Sequence, residues 1–384
     1  MAVVGAGAFG GWTALDLRRR GARVTLLDAW GPGHARASSG GETRVIRATY
    51  GARTVYTKMA VRAMASWRAH DAKYQRALFR KTGALWMFGR DDAFGRASAA
   101  TLRAENLPIE ELSPRAAAAR FPQISFDDTF TSILWEPEAG YLFARRACEH
   151  VVECFLAEGG EYRQSAVQAP VSIGGAPLRR ISLEDETTIE ADVFIFACGP
   201  WLGRLFPDVI GQRVTATRQE VYYFGTPAGD TRFLDPSMPV WVDYRERFMY
   251  GIPGDAHRGF KVADDTPGPA FDPTDGSREA TPAGVAAARA FLAQRFPALA
   301  GAPLLGTEVC QYEASPDSHF IIDRHPGASN VWIAGGGSGH GFKMGPAIGE
   351  QVASHVLTGS TPDPHFGLAR LASTPAGGWE EKWS

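Results

Sequence analysis

The sequence predicts an α/β (α+β) chain of two lobes. One lobe is wound around a parallel β–α–β start. The other is built on a mixed, mostly antiparallel β-sheet. Three observations predict this. Ala2-Val3-Val4 runs into a glycine-rich turn and an apolar helical pattern. Beyond residue 215 the texture changes to short, aromatic-rich alternating segments. The chain has 384 residues, 45% of them hydrophobic and 21% charged, enough for two lobes around one site. That composition excludes a disordered or fibrous chain.

The first strand, Ala2 to Val4, precedes Gly5-Ala6-Gly7-Ala8-Phe9-Gly10. The helix that follows ends at Arg18-Arg19-Arg20-Gly21, basic residues before a glycine stop. Val24 to Leu27 reads as a buried strand closing at Asp28. A helical pattern covers Val55 to Tyr74, and Leu85 to Phe88 is a short strand. Alanine-rich helical pieces alternate with turns from 90 to 125, with Ser113-Pro114 as a cap and first turn. Glu136 to Gly140 marks a junction before a helix through Cys148 to Leu156. Strand candidates and turns alternate over 166–198, ending in Val193 to Cys198. Gln219–Phe224, Val240–Tyr244 and Arg247–Ile252 read as strands of the second sheet. Thr281-Pro282 starts a helix through Leu292. Val331 to Ala334 is a buried strand, followed by Gly335-Gly336-Gly337-Ser338-Gly339, and Pro346 to Leu357 reads as a helix. No internal repeat is visible, and the tail from Ser373 is weakly patterned.

Charge and cysteine use narrow the function classes. The formal net charge is -2, so no strong overall field recruits nucleic acid or an anionic membrane. Cys148, Cys154, Cys198 and Cys310 form no CxxC pair, which argues against a disulfide scaffold or a structural zinc site. His319, His325 and His340 are scattered, so no metal site is expected. No signal-type leader or bilayer-length apolar run is read, and the expectation is a cytoplasmic protein.

The opening motif has the strand–glycine–helix context of a Rossmann-like dinucleotide site. Gly5 permits the tight turn, Gly7 lets a pyrophosphate approach, and Gly10 permits close helix–strand packing. The helix N-terminus favours phosphate, and Asp28 can accept from a ribose hydroxyl. The motif alone does not separate NAD from FAD. Arg44 and Arg47 stand three apart, which on a helical segment puts both guanidinium groups toward one face, suited to a carboxylate or phosphate. By residue type alone a surface ion pair is the better reading. Taken alone, Lys261 and Lys343 read as solvent lysines, and Cys198 and Cys310 as inert core thiols.

Taken together the motifs resemble the D-amino-acid-oxidase-like FAD oxidoreductase superfamily, and within it monomeric sarcosine oxidase and N-methyltryptophan oxidase. The resemblance runs from Gly5 to about Ala369. It rests on the glycine motif, Ser38 through Arg47 with Tyr50-Gly51, and Ala197-Cys198-Gly199-Pro200-Trp201. It rests further on Phe248 to Pro253, Gly259-Phe260-Lys261, Cys310-Gln311-Tyr312, Pro316 to Asp323 and Gly337 to Lys343. It implies a discontinuous FAD-binding lobe of 1–80, 140–212 and 300–370, a substrate lobe of 81–139 and 213–299, and a C-terminal tail of 371–384. It implies FAD joined through a thioether to Cys310. Lys261 matches the lysine that promotes oxygen reduction, and Arg44 with Lys343 the pair that holds the substrate carboxylate. Tyr250 and Tyr312 match tyrosines of the substrate cavity. The cofactor-contacting positions implied are Gly5, Gly7, Phe9, Gly10, Asp28, Ser39, Thr43, Arg47, Val167, Cys198, Gly199, Trp201, Cys310, Gly337, Gly339, Gly341, Phe342 and Lys343.

Two positions depart from the resembled pattern. Gly40 and Asp265 stand where relatives carry histidines. The first change is expected to open space and the second to substitute an anion, favouring a bulkier amino acid with a polar or cationic group. The expected activity is FAD-dependent oxidation of the C–N bond of an amino acid or N-methyl amino acid to an imine. The imine then gives an aldehyde or keto acid plus an amine, and molecular oxygen is reduced to hydrogen peroxide. A dehydrogenase with another electron acceptor and a subunit of a heteromeric amino-acid-oxidising complex are the alternatives. A monomer acting on a small-molecule amine or amino acid is expected, with no nucleic-acid or membrane partner.

Overall fold

A computed structural model describes residues 1–89, 92–170, 173–245, 247–255 and 258–372. Residues of the expected loose tail from Ser373 onward lie outside the described residues.

The first sheet has six strands. Strand β1 (Ala2–Val4) lies between β2 (Thr25–Asp28) and Phe194–Phe196, parallel to both. Glu161–Gln164 extends the sheet beside β2, and Val331–Gly335 beside Phe194–Phe196, again in parallel. Ile321–Arg324 closes one edge antiparallel to Val331–Gly335. β1 and Phe194–Phe196 are buried at every residue, so they read as apolar runs rather than alternations.

Helix α1 (Ala8–Arg19) crosses from β1 to β2, with Arg18 and Arg19 in its last turn and Gly21 at φ 90° beyond it. Its Trp12 packs into helix Gly345–Thr358 at two glycines. A Cβ at Gly345 or at Gly349 would stand 2.6 Å from atoms of Trp12. That close approach seats the second helix on the first and brings the loop before it, residues 336–344, over the carboxyl end of β1.

The second sheet has eight strands, mixed and mostly antiparallel as expected. Its order is Leu304–Ala314, Thr215–Phe224, Phe260–Asp264, Phe248–Ile252, Val240–Tyr244, Ala84–Phe88, Ser132–Glu136, Glu110–Leu112. Only Val240–Tyr244 and Ala84–Phe88 run parallel. Cys310 pairs with Gln219, Tyr312 with Thr217, Lys261 with Tyr223, and Tyr250 with Ala263. The register therefore gathers four expected site residues on neighbouring strands.

Arg44 lies on β3 (Thr43–Ile46), which pairs antiparallel with Gly140–Phe143 in a small third sheet. The helical reading of the Arg44–Arg47 segment is thus overturned. Val45 and Ile46 are β-branched, and Ile46 is fully buried, which suits a strand.

Helices Thr54–Tyr74, Ala144–Ala157 and Pro282–Arg295 stand where the apolar periodicity places them. Ser113 and Thr281 cap as expected, accepting from the N–H groups of Ala116 and Gly284. The long strand Leu304–Ala314 goes beyond the sequence reading. Among the described residues no helix is long and apolar enough to cross a membrane.

Candidate active site

A large cavity of about 1030 Å³ opens at the carboxyl end of β1. It slightly exceeds the roughly 300–1,000 Å³ of ordinary small-molecule sites. Gly5, Gly7, Phe9, Asp28, Ser39, Val167, Cys198, Gly199, Trp201, Gly337, Gly339, Gly341 and Phe342 all line it. The glycines are a steric requirement. Gly5 has φ 105°, and a Cβ there would meet Ala197 O at 2.3 Å. A Cβ at Gly341 would stand 2.9 Å from the Phe9 ring. Asp28 accepts from the N–H groups of Ala6, Trp30 and Gly31 at 2.7–2.9 Å, which fixes its carboxylate at the rim. Ser39 Oγ accepts from Ala8 N at 3.0 Å, satisfying one orphan donor of the α1 N-terminus.

Gly10 and Thr43 line neither cavity. A Cβ at Gly10 would meet Gly5 O at 1.8 Å, so its role is close packing under the turn. Thr43 instead offers its carbonyl to Lys261 Nζ and Arg44 Nη1, each at 2.9 Å.

A smaller cavity of about 70 Å³ adjoins the large one. Arg44, Tyr312, Gly339 and Phe342 line both. Arg47, Tyr250, Asp265, Cys310 and Lys343 line the smaller one. Tyr312 donates to Asp265 Oδ1 at 2.5 Å. Burial, and then the Asp265 charge, push the Tyr250 and Tyr312 hydroxyls up. Both therefore stay protonated, and Tyr312 acts as a donor.

The basic residues divide differently from the expected pairing. Arg44 Nη2 donates to Ser38 O at 3.0 Å and Gly40 O at 2.6 Å, and lies 3.0 Å from Cys310 Sγ. Burial opposes its charge, yet Cys310, Tyr250, Tyr223 and Glu308 hold it above the ordinary arginine range. Arg47 and Lys343 instead share the Tyr50 ring, at 4.4 and 5.1 Å from its centroid. Arg47 also donates to Thr49 O, and Lys343 to His340 O at 3.1 Å. Spaced three apart on extended chain, Arg44 and Arg47 leave opposite faces. They reach the smaller cavity from different sides.

Lys261 is buried and lines neither cavity. Burial, and then the Arg44 charge, push its amine down to about 7. Gly40 does not open space. A Cβ there would stand 2.3 Å from His34 O, and the residue lines neither cavity. The tight turn after His34, not a substrate pocket, is what requires glycine.

Several lining residues escaped the sequence reading. Trp30 packs on Trp201 at 4.9 Å between centroids, and Trp201 Nε1 donates to Thr274 Oγ1 at 2.9 Å. Trp201 is an expected contact; for Trp30 the available signal was position, since it follows the acidic end of β2 by two residues. Glu313 lines the large cavity, and burial pushes its carboxyl up to about 7. Its Oε1 has no hydrogen-bond partner. Alternation along its strand was the available signal: Cys310 and Tyr312 share one face, Gln311 and Glu313 the other. Glu136 is wholly buried and accepts from Ala48 N and Thr49 Oγ1, with Arg47 among the charges near it.

A family model described as FAD dependent oxidoreductase (DAO) matches residues 1–355. The chain is 31% identical over 369 residues to the monomeric sarcosine oxidase of Bacillus sp. (strain B-0618), covering 94% of this chain and 92% of that protein. It is 28% identical to the N-methyl-L-tryptophan oxidase of Salmonella arizonae, covering 92% and 94%. Among solved structures, the L-proline dehydrogenase of P. horikoshii superposes with a TM-score of 0.84 at 19% identity, covering 97% of each chain. The deglycating fructosamine oxidase of Aspergillus fumigatus (Amadoriase II) superposes at 0.80 and 21%, covering all of this chain and 92% of the other. At these identities the two structures speak for the fold.

Proposed function

The chain belongs to the DAO family of FAD-dependent oxidoreductases, and from that premise we propose that it oxidises the C–N bond of a small amino acid or N-methyl amino acid. The observation that carries this reading is the cation pair of the smaller cavity. Arg47 and Lys343 flank one tyrosine ring in a space that opens beside the large cavity. Two fixed cations suit a carboxylate, and holding it sets the direction of the adjacent amine. Arg44 stands against Cys310 Sγ and also lines the large cavity, so it serves the cofactor side, while Arg47 and Lys343 line only the smaller cavity and form the carboxylate pair.

The large cavity fits FAD by its chemistry. Its glycine wall admits a pyrophosphate beside the α1 N-terminus, and Asp28 stands at the ribose end of the motif. When bound, FAD accepts the two electrons of the substrate C–H bond and passes them on to an acceptor. Tyr250 and Tyr312 bound the substrate cavity, and Tyr312 is oriented by Asp265. The substrate amine reacts as the free base, and the product imine takes up water to give an aldehyde or keto acid plus an amine. With O2 as acceptor, two electrons and two protons give hydrogen peroxide. The cation at Lys261 favours negative charge developing on oxygen. Attachment of FAD through Cys310, a monomeric state and the division into an FAD lobe and a substrate lobe belong to the same reading.

The test is a panel of amino acids and N-methyl amino acids read by peroxide release from the purified yellow protein. Turnover restricted to carboxylate-bearing amines supports the reading. Equal turnover of amines lacking the carboxylate overturns it. A second reading, a dehydrogenase with a non-oxygen acceptor, is favoured by Lys261 lining neither cavity. Slow reoxidation of the reduced protein by air-saturated buffer, with fast reoxidation by a quinone dye, selects that reading.

A further inference from the structure

His70, on helix Thr54–Tyr74, meets His150 and Cys154, on helix Ala144–Ala157. One ring nitrogen of each histidine and Cys154 Sγ all lie within 4.8 Å of one another. We infer that this cluster is a zinc-binding site joining the two helices, separate from the oxidation site.

One edge of the cluster already has the span of a tetrahedral zinc shell, and the His70 ring nitrogen lies within 4.8 Å of both other ligand atoms. His150 and Cys154 are spaced i,i+4 and share a helix face. His150 Nε2 and Cys154 Sγ are 3.5 Å apart. Zinc bonds of about 2.1 Å to nitrogen and about 2.3 Å to sulfur hold the two ligands roughly 3.5 Å apart at a tetrahedral angle. The outer shell is also present. His150 Nδ1 lies 3.1 Å from Glu153 Oε2. A carboxylate on that nitrogen fixes the tautomer whose Nε2 lone pair faces the sulfur.

The surroundings make the cluster costly to leave empty. His70, His150 and Cys154 are 5%, 7% and 3% exposed. His70 Nε2 is buried with no hydrogen-bond partner. Trp12 and Tyr74 pack against the His70 ring at 5.0 and 4.7 Å, and Tyr74 also packs against His150 at 5.2 Å. A packing core alone would be better served by an apolar side chain than by an imidazole with an orphaned nitrogen.

Two imidazoles and a thiolate suit zinc over magnesium or calcium, which take oxygen ligands. As the Zn–S bond forms, the Cys154 proton leaves to solvent, and a water completes the fourth position. Glu153, 64% exposed, marks the side open to solvent. None of the three ligands lines either cavity, so zinc would secure the helix pair rather than enter the reaction.

The experiment uses tag-free holoprotein, stripped with a chelator and then given zinc chloride. One zinc per chain is expected, with a zinc K-edge spectrum showing one sulfur at about 2.3 Å and nitrogen neighbours. The thermal midpoint should rise with zinc and not with magnesium. Cys154→Ser should lose the sulfur shell and bind zinc at least tenfold more weakly, with flavin absorbance unchanged. His70→Gln should weaken binding to a similar degree and keep the sulfur shell. Less than one zinc per chain in the wild type, a spectrum without sulfur, or unaltered zinc binding in Cys154→Ser would overturn the assignment. The wild-type spectrum decides the matter even if a variant fails to fold.

Discussion

Arg44 Nη2 stands 3.0 Å from Cys310 Sγ, held there by the carbonyls of Ser38 and Gly40. A guanidinium fixed by backbone is a preorganised partner for negative charge on that sulfur. Cys310→Ser should therefore release all flavin colour on acid precipitation, while the wild type keeps its colour in the pellet. Arg44→Met should leave a substantial unattached fraction. Free colour in the wild-type supernatant would return Cys310 to an inert thiol.

Lys261 donates to Thr43 O at 2.9 Å, and burial brings its amine down to about 7. Reoxidation of the reduced protein by O2 should slow as pH rises through about 7, as the cation is lost. Lys261→Met should slow that step by roughly 100-fold, on the scale of removing one electrostatic contact to developing charge. Stability moves the other way. The unfolded lysine holds its proton up to about 10.4, so the native state is penalised below about 7 and gains stability as pH rises from there. Stopped-flow reoxidation and denaturant titration across pH read the two effects separately. A pH-independent reoxidation rate would exclude the charge of Lys261 from the step.

Tyr312 donates to Asp265 Oδ1 at 2.5 Å at the edge of the smaller cavity. A carboxylate there favours substrates with a second, distal cation. Asp265→Asn should lower kcat/KM for such amino acids by about tenfold or more, the scale of a charge-assisted hydrogen bond. The effect on sarcosine should stay within roughly threefold. An equal fall for both substrate types would mean that Asp265 serves only to hold Tyr312.

Glu313 has its carboxyl pushed up to about 7 by burial. A raised carboxyl stabilises the fold fully below its unfolded value, about 4.3. That contribution is lost as pH rises through about 7. Denaturant midpoints of the purified protein should thus fall over this window, and Glu313→Gln should flatten the slope. Matching slopes in both proteins would place the pH dependence elsewhere.

The parallel sheet was legible because its strands are short, apolar and followed by glycines at fixed spacing. Gly5, Gly7 and Asp28 could be placed from that pattern alone. The second sheet was legible as a texture, from its aromatic segments. Leu304–Ala314 was harder, because its half-buried polar residues weaken the alternation signal. Arg44 and Arg47 show a different limit. Their spacing was read with a helical period, while β3 imposes the period of two, and the cations separate. Gly40 shows a third. A glycine reads as vacancy in a sequence, yet here the His34 carbonyl occupies the place of its side chain. Glu313 was invisible because nothing local marks a carboxyl for desolvation. Its surroundings, Gly199 and Gly335 to Gly337, come from distant segments.

Strand Leu304–Ala314 is the partition between the two cavities, with Cys310 and Tyr312 opening on the smaller one and Gln311, Tyr312 and Glu313 on the larger. A slip of one residue in its register would exchange those faces. Cys310 and Tyr312 would then leave the smaller cavity together. Tyr250 and Asp265 carry no such double duty, since they line only the smaller cavity. Substrate preference can therefore drift through those two positions while Cys310 keeps its place, and the partition strand is the part that must stay in step.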